Sequence, residues 1–312
     1  KVLFLYFVDS SIVSTIFRQR DKKMDYVTKH KYSTQSPDVY WKEQAELLTW
    51  FKKPEVILST NSDDWHDWYA DGELNTSYLA LDYHIEQGRG EQIALIYDSP
   101  VTNQKQQFTY HELTEQVAKF ADVLRAQGVA KGDRVLIYMP MIPQAAIAML
   151  ACARLGAIHS VVFGGFAAHE LAVRIDDAKP KVIVSASCGV EIDKIIPYKP
   201  LIDQAILSAA FKPSYCIVFQ RDMLKAELQK NRDFSWQVLM ATAVPVPPTP
   251  LKSTDPLYIL YTSGTTGKPK GVVRDNGGHA VAMLYSMRHV YGMQSGDVFW
   301  AASDVGWVVG HS

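Results

Sequence analysis

The sequence lacks the features that mark membrane-spanning and nucleic-acid-binding proteins. No segment approaches the roughly 20 consecutive apolar residues that a membrane-spanning helix requires. The formal net charge is -1, so the chain as a whole has no positive field that would attract nucleic acid. We therefore expect neither a membrane nor a nucleic acid as a partner.

Cysteine is also scarce, and Cys152, Cys188 and Cys216 lie far apart in the sequence. No C-x-x-C pair occurs, so neither a zinc site nor a disulfide framework is indicated. We assign no metal ligand in this chain. Each cysteine lies in an apolar segment. This pattern predicts small, buried side chains in a reducing compartment.

The first residues do not form a convincing secretory signal, because the apolar run is interrupted and no A-x-A cleavage site follows. We interpret residues 1–23 as a leader upstream of a natural start at Met24. This interpretation predicts a cytoplasmic protein. The basic end of the leader keeps the mitochondrial matrix as the alternative.

The composition, with 47% hydrophobic and 21% charged residues in 312, fits one large α/β unit or about two domains. Residues 24–90 are rich in aromatic and acidic side chains, and we interpret them as helices and loops that pad the surface of another domain. Trp41, Ala45, Leu48 and Phe51 recur there at helical spacing.

From Ile93 onward, short apolar strands alternate with amphipathic helices. In "FTYHELTEQVAKFADVLRAQG", Thr109 and Glu112 form a capping box and Gly128 ends the helix. The strands that we predict after it are "RVLIYM", "HSVVF", "KVIVSA", "YCIVF", "PLYILYT" and "DVFWAAS". The alternation predicts an α/β fold, with a largely parallel sheet flanked by helices. Ligands of such sheets bind beyond the carboxyl ends of the strands, where Gly164–Phe166 and Thr262–Lys270 are expected.

The stretch "YTSGTTGKPKG" combines glycines, hydroxyl groups and two lysines directly after a predicted strand. It does not fit a Walker A loop or a dinucleotide fingerprint, because the required glycines are not in place. Glycines allow backbone N–H groups to approach a phosphate closely, and lysines supply positive charge. We predict a site for the phosphates of a nucleoside triphosphate, with a solvated hairpin loop as the alternative. The predicted phosphate-binding residues are Thr262, Ser263, Gly264, Thr265, Thr266, Gly267, Lys268 and Lys270. For Lys270, a solvated surface charge remains an equal alternative.

The same stretch resembles the phosphate-loop signature of the adenylate-forming superfamily. The segments "SPDVYWKEQA", "ACARLGAIHSVVFGGF" and "SDVGWVVGHS" are similar to its acetyl- and propionyl-CoA synthetase branch. "VVRDNGGH" is closer to the RD-x-GG form of propionyl-CoA synthetases than to the acetyl-type form. The resemblance implies an N-terminal region at 24–90 and a truncated AMP-binding domain at 91–312.

The resemblance also implies a ligase reaction in two halves. A small carboxylate attacks the α-phosphate of Mg-ATP to give an acyl-adenylate and pyrophosphate, and the thiol of coenzyme A then displaces AMP. The implied cofactors are ATP, Mg²⁺ and coenzyme A, and propionate is the implied substrate. Alternatives are acetate as the substrate, an acceptor other than coenzyme A, or a truncated, non-catalytic product.

The resemblance further assigns residues to coenzyme A and to the acyl group. The implied coenzyme A residues are Phe163, Gly164, Gly165, Glu191 and Lys194. "EIDK" replaces the family's "EPGR", so Lys194 keeps the charge of an arginine but loses its bidentate fork. The implied acyl-pocket residues are Trp307, Val308 and Val309. The alternatives are a tight turn for "FGGF" and core packing for "GWVVGH".

The sequence ends at Ser312 in mid-pattern, and we interpret it as a fragment that lacks the family's C-terminal domain. The expected catalytic lysine would lie beyond Ser312, so no catalytic residue is assigned here. This interpretation predicts that the 312-residue chain alone has no ligase activity. The sequence predicts no oligomeric state.

Overall fold

The structure is a computed structural model that describes residues 24–191, 194–262 and 269–311. The predicted leader and Ser263–Lys268 of the predicted phosphate loop lie outside the described residues. None of the helices in the described ranges is long and apolar enough to cross a membrane.

The helices of the described residues are numbered in chain order. They are α1 (Tyr26–Gln35), α2 (Pro37–Ala45), α3 (Thr76–Ala80), α4 (Asp82–Glu86), α5 (Tyr110–Ala126), α6 (Pro143–Leu155), α7 (Ala168–Ala178), α8 (Tyr198–Ser208), α9 (Trp236–Thr242), α10 (Gly277–His289) and α11 (Val308–His311).

The strands are numbered in the same way. They are β1 (Leu58–Thr60), β2 (His66–Trp68), β3 (Glu73–Leu74), β4 (Ile93–Ser99), β5 (Gln104–Thr109), β6 (Arg134–Met139), β7 (Ile158–Phe163), β8 (Val182–Ala186), β9 (Cys188–Glu191), β10 (Lys194–Pro197), β11 (Tyr215–Phe219), β12 (Asp233–Ser235), β13 (Leu251–Lys252), β14 (Pro256–Thr262) and β15 (Lys270–Asp275).

The central feature is a 7-stranded sheet with the strand order β12-β11-β8-β6-β7-β14-β15. All neighbouring strands in it are parallel except β15, which runs antiparallel to β14. Successive side chains of a strand point to opposite faces. Accordingly, Val135 and Ile137 of β6 join one buried cluster with α5 and α6, while Leu136 and Tyr138 join another with α7 and α8. The predicted α/β fold with a largely parallel sheet is confirmed.

The helix boundaries follow from local chemistry, as predicted. The Thr109 side chain accepts from the Glu112 backbone N–H at 3.1 Å, and the Glu112 carboxylate accepts from the Thr109 N–H at 2.8 Å. Helix α6 begins at Pro143 and ends before Gly156, whose φ of 74° is the left-handed conformation that glycine adopts without strain. The three cysteines are free and buried, also as predicted.

The segment before the sheet packs on it through buried polar contacts. Arg154 of α6 forms a bidentate ion pair with Asp82, and Asn75 donates to the backbone carbonyls of Ala153 and Thr249. The predicted helical stripe holds only in part. Ala45 is buried, but Phe51 is 41% exposed.

Two predictions in the last third of the chain need correction. The segment "DVFWAAS" (297–303) is not a strand. A strand needs a partner for its backbone N–H and C=O groups, and no described strand pairs with this segment. Conversely, β15 was not predicted, and it makes the segment after β14 the second strand of a hairpin.

Candidate functional site

The candidate site lies at the carboxyl ends of two neighbouring strands. Strands β7 and β14 are parallel, and their ends lead into the two loops that the sequence marked. Phe163 ends β7 and Thr262 ends β14. The predicted coenzyme A loop and the beginning of the predicted phosphate loop therefore lie at the same edge of the sheet.

The predicted phosphate loop is described only at its two ends. Thr262 pairs with Lys270 across the β14–β15 hairpin, and both side chains are exposed. Ser263–Lys268, which carry the other predicted phosphate-binding residues, lie outside the described residues. Pro269 leads directly into the antiparallel strand β15, which begins at Lys270. The loop thus connects two strands of one hairpin.

The loop after β7 is held by two tyrosines beneath it. The Tyr138 hydroxyl donates to the carbonyl oxygens of Gly164 at 3.1 Å and Phe166 at 2.8 Å. Burial raises the pKa of Tyr138 to about 12, so this hydroxyl remains a donor at neutral pH. A Cβ atom on Gly164 would clash with the Tyr198 hydroxyl. The glycine is therefore required by close packing, while Gly165 is exposed at the tip.

Tyr198 also contacts the second segment that the resemblance assigned to coenzyme A. A Cβ atom on Gly189 would lie 2.7 Å from the Tyr198 hydroxyl oxygen, so the β9–β10 hairpin rests on the same ring as Gly164. Glu191 and Lys194 pair across this hairpin, and both are exposed. The structure thus brings the two predicted coenzyme A segments together around one buried tyrosine.

The predicted acyl-pocket segment packs against the same loop. The Trp307 ring lies 5.8 Å from the Phe163 ring and 6.1 Å from the Phe166 ring, between centroids. Val308 and Val309 are 57% and 62% exposed. Both valines are thus open to solvent, and neither belongs to the buried core of the described residues.

Sequence reasoning missed the contacts that α7 makes with the loop after β7 and with Tyr261 of β14. The Arg174 guanidinium carbon lies 4.6 Å from the centroid of the Phe166 ring and 5.4 Å from that of the Tyr261 ring. The Tyr261 hydroxyl donates to Asp177 Oδ2 at 2.6 Å. Arg174 and Asp177 share one face of the helix with Glu170. Charged residues at positions i, i+4 and i+7 of the predicted helix were the sequence signal that could have revealed these contacts.

The two glycines of the "RDNGG" segment are explained by close packing. In "RDNGG", a Cβ atom on Gly277 would clash with Ser253, and one on Gly278 would lie 2.9 Å from Asp275 Oδ2. The Asp275 carboxylate accepts from the backbone N–H of His279 at 3.1 Å. These contacts fix the start of α10. They give the segment a structural role and are not evidence that it binds a ligand.

Three histidines lie around Tyr258, and of these His159 and His311 are buried while His279 is half-buried. His159 Nε2 and His311 Nε2 are 3.1 Å apart, and His311 Nδ1 lies 3.0 Å from the carbonyl oxygen of Val305. A carbonyl only accepts, so His311 Nδ1 carries the proton and His311 Nε2 accepts from His159. Burial lowers the pKa of His159, and lowers those of His279 and His311 to about 4. His311 is therefore held on both ring nitrogens by contacts within the fold.

This cluster predicts a loss of stability in mild acid. The folded-state pKa values lie below the unfolded value of about 6.5, so unfolding takes up protons as the pH falls from about 6.5 towards 4. Each histidine should lower the free energy of unfolding by about 1–2 kcal/mol between pH 7 and pH 5. Urea unfolding at both pH values should show that His279→Gln reduces this loss.

The matched control is His111, which is exposed at the surface and lies outside this cluster. His111→Gln should leave the difference between pH 7 and pH 5 close to that of the unchanged protein. An equal pH dependence for His279→Gln and the unchanged protein would contradict the assignment of neutral imidazoles in this cluster.

Comparison with known proteins was consistent with this geometry. Residues 82–312 match the family model of AMP-binding enzymes, and residues 26–80 match that of the acetyl-coenzyme A synthetase N-terminus. The chain is similar to acetoacetyl-CoA synthetase from Streptomyces lividans, with a TM-score of 0.84 and 26% identity, over 97% of this chain and 48% of that chain.

Curated relatives extend the comparison at higher identity. An uncharacterized protein of Pseudomonas aeruginosa is 60% identical over 93% of this chain and 46% of its own length. Human acyl-CoA synthetase short-chain family member 3, mitochondrial, is 50% identical over 92% of this chain and 42% of its own length. Propionate–CoA ligase of Escherichia coli is 45% identical over 93% of this chain and 46% of its own length.

The chain thus spans about half the length of the curated relatives that it matches. Its match to the AMP-binding model covers well over half of its own residues. The sheet and the two loops at one edge are consistent with that match. The chain therefore belongs to the family of AMP-binding enzymes, and short-chain acyl-CoA synthetases are among its relatives.

Proposed function

We propose that this chain carries the ATP- and coenzyme A-binding part of a short-chain acyl-CoA synthetase. The observation that carries the proposal is the adjacency of the coenzyme A loop and the phosphate loop at the ends of β7 and β14. In the proposed reaction, a carboxylate attacks the α-phosphate of ATP and releases pyrophosphate. The thiol of coenzyme A then attacks the acyl-adenylate carbonyl and AMP leaves.

The chain's residues would act chiefly by positioning and by neutralising charge. Lys268 and the backbone N–H groups of the glycine-rich loop would hold the departing phosphates. Mg²⁺ would arrive with ATP. Among the described ranges, no group of three or more His, Cys, Asp or Glu residues could hold the ion.

Two separate family models match the chain, one over residues 26–80 and the other over residues 82–312. These matches support the proposed division into an N-terminal region (24–90) and an AMP-binding domain (91–312).

The coenzyme A assignment rests on a loop that backbone contacts hold in place. Phe163 offers a half-buried aromatic face, and the exposed Gly165 leaves the backbone open to an adenine ring. Lys194 and Glu191 lie on the hairpin that shares Tyr198 with this loop. We propose that Lys194 pairs with a phosphate of coenzyme A as a single point charge.

Gly164→Ala should weaken coenzyme A binding. The new methyl group would clash with the Tyr198 hydroxyl, and overpacking of this kind costs about 1–3 kcal/mol. If displacing the loop relieves the clash, a cost of this size corresponds to about a 5- to 160-fold rise in Kd. Isothermal titration of the purified chain with coenzyme A measures the change. Adding Tyr198→Phe removes the clashing oxygen and should restore part of the affinity.

Gly132→Ala is the control, because Gly132 has a φ of 83° and no neighbour within 4 Å of an added Cβ. Because Gly132 lies outside the proposed site, the backbone strain of an alanine there should leave the Kd for coenzyme A unchanged. If Gly164→Ala binds coenzyme A as tightly as the unchanged chain, the loop does not serve coenzyme A.

We further propose propionate as the preferred substrate. The RD-x-GG motif and the 45% identity to propionate–CoA ligase of E. coli support this choice. The acyl group would lie against Trp307, Val308 and Val309. Because the two valines are exposed among the described residues, we expect the rest of a complete synthetase to close the pocket.

Val309→Thr should change substrate preference without abolishing activity. The two side chains have similar volumes, and Val309 is exposed, so folding should tolerate the hydroxyl. The ratio of kcat/KM for acetate to that for propionate should shift by no more than about 1–3 kcal/mol, because one methylene is worth no more in such a pocket. Steady-state kinetics of a complete synthetase that contains this sequence measure the ratio. Loss of both activities would rule out the pocket assignment.

A further inference from the structure

We propose that Arg174 is a positioning residue that couples the end of β14 to the coenzyme A loop. This inference rests on the proposed function. The coupling would make the affinity for coenzyme A depend on the conformation of Tyr261, the residue before Thr262 at the predicted phosphate loop. Arg174 itself contacts neither substrate.

The geometry places one buried cation against a ring of the loop after β7 and a ring near the end of β14. Arg174 is 5% exposed, and its guanidinium carbon lies 4.6 Å from the ring of Phe166 and 5.4 Å from the ring of Tyr261. Both distances are within the range of a cation–π contact, which is strengthened when the pair is removed from water. A displacement of either ring therefore changes the environment of the shared guanidinium.

The same helix face holds Arg174 in place. Arg174 Nη1 donates to the Glu170 carbonyl at 2.7 Å and to Glu170 Oε2 at 2.8 Å. One turn further along, Asp177 Oδ2 accepts the hydroxyl proton of Tyr261 at 2.6 Å. Helix α7 thus anchors Tyr261 by two contacts, the ring on Arg174 and the hydroxyl on Asp177.

The contact reaches the coenzyme A loop through Phe166. Its carbonyl accepts from Tyr138, and its ring lies 5.5 Å from the ring of Phe163, edge to face. Phe163 is the residue that we assign to the adenine. A chain of direct contacts therefore runs from Asp177 and Tyr261 through Arg174 to Phe166 and Phe163.

Burying the guanidinium of Arg174 at this position carries a desolvation cost that an apolar side chain would not have. Replacing buried ions by apolar side chains of similar size is often neutral or stabilising, so packing alone does not explain the guanidinium. An apolar side chain would contact both rings without the electrostatic attraction that links their positions. We therefore separate a coupling role from a packing role by a double-mutant cycle.

The experiment measures coenzyme A affinity of the 312-residue chain by isothermal titration. Tyr261→Phe removes the hydroxyl that bonds Asp177, and it should raise the Kd about 3- to 10-fold in the unchanged background. In the Arg174→Met background, Tyr261→Phe should have no further effect. Arg174→Lys retains the cation and should restore part of the dependence. Tyr215→Phe, at the opposite end of the sheet, is the matched control and should leave the Kd unchanged.

The outcomes distinguish a failure of this inference from a failure of the proposed function. If the unchanged chain binds coenzyme A and the effects of Tyr261→Phe and Arg174→Met multiply independently, Arg174 has only a packing role and this inference is overturned. If Tyr261→Phe leaves the Kd unchanged in the presence of Arg174, the inference also fails. Failure of the unchanged, folded chain to bind coenzyme A overturns the proposed function, and this inference with it.

Discussion

Replacing Lys268 by alanine should lower the rate of ATP–pyrophosphate exchange with propionate by about 100-fold or more. Loss of one preorganised group that stabilises developing charge typically costs about 10²–10³ in rate. Lys268 follows the glycines and hydroxyls of the phosphate loop in the sequence, and its proposed partner is the departing pyrophosphate. The exchange of labelled pyrophosphate into ATP measures this half-reaction in a complete synthetase that contains the sequence.

The second half-reaction provides the internal control. Thioester formation from preformed propionyl-adenylate and coenzyme A involves no pyrophosphate, so Lys268→Ala should leave it comparatively unchanged. Lys270→Ala tests the exposed lysine at the start of β15 and separates its two possible roles. An equal loss in both half-reactions for Lys268→Ala would contradict the assigned role.

Arg154→Ala should cause the largest loss of stability, about 3–5 kcal/mol in the free energy of unfolding. The Arg154 side chain is 4% exposed and pairs with Asp82 through hydrogen bonds of 2.7 and 2.8 Å. Its Nε also donates to the carbonyl oxygen of Val246 at 2.6 Å. Removing the guanidinium leaves a largely buried carboxylate and a buried carbonyl without their partner. Urea unfolding followed by circular dichroism measures the change.

Arg125→Ala is the matched control at the surface. Arg125 also pairs with an aspartate, Asp122, but its side chain is 59% exposed. Exposed ion pairs contribute about 0–1 kcal/mol, so this variant should unfold almost like the unchanged chain. If Arg154→Ala and Arg125→Ala lower the free energy of unfolding equally, the ion pair between Arg154 and Asp82 does not stabilise the packing of the N-terminal region on α6.

Much of the local structure could be predicted from the sequence, because short-range chemistry determines it. The capping box of Thr109 and Glu112, the start of α6 at Pro143 and the left-handed Gly156 each depend on a few neighbouring residues. The buried parallel strands were also recognisable as apolar runs between helices. Such signals lie within a single helix or strand and its ends.

Predictions failed where the outcome depended on a distant partner. The segment 297–303 has the apolar pattern of a strand, but no described strand pairs with it. In contrast, β15 forms because β14 presents an edge to it, although its own sequence did not indicate a strand. Apolar pattern alone does not determine whether a neighbouring edge is available.

The sequence by itself determined the family resemblance, the α/β class and the candidate residues of the two loops, since these depend on residue identity and spacing. Only the tertiary structure decided that Tyr198 joins the two segments proposed to bind coenzyme A and that Arg174 lies between the rings of Phe166 and Tyr261. These contacts join residues that are far apart in the chain. Sheet order and packing across its faces bring them together, and local sequence patterns do not encode either one directly.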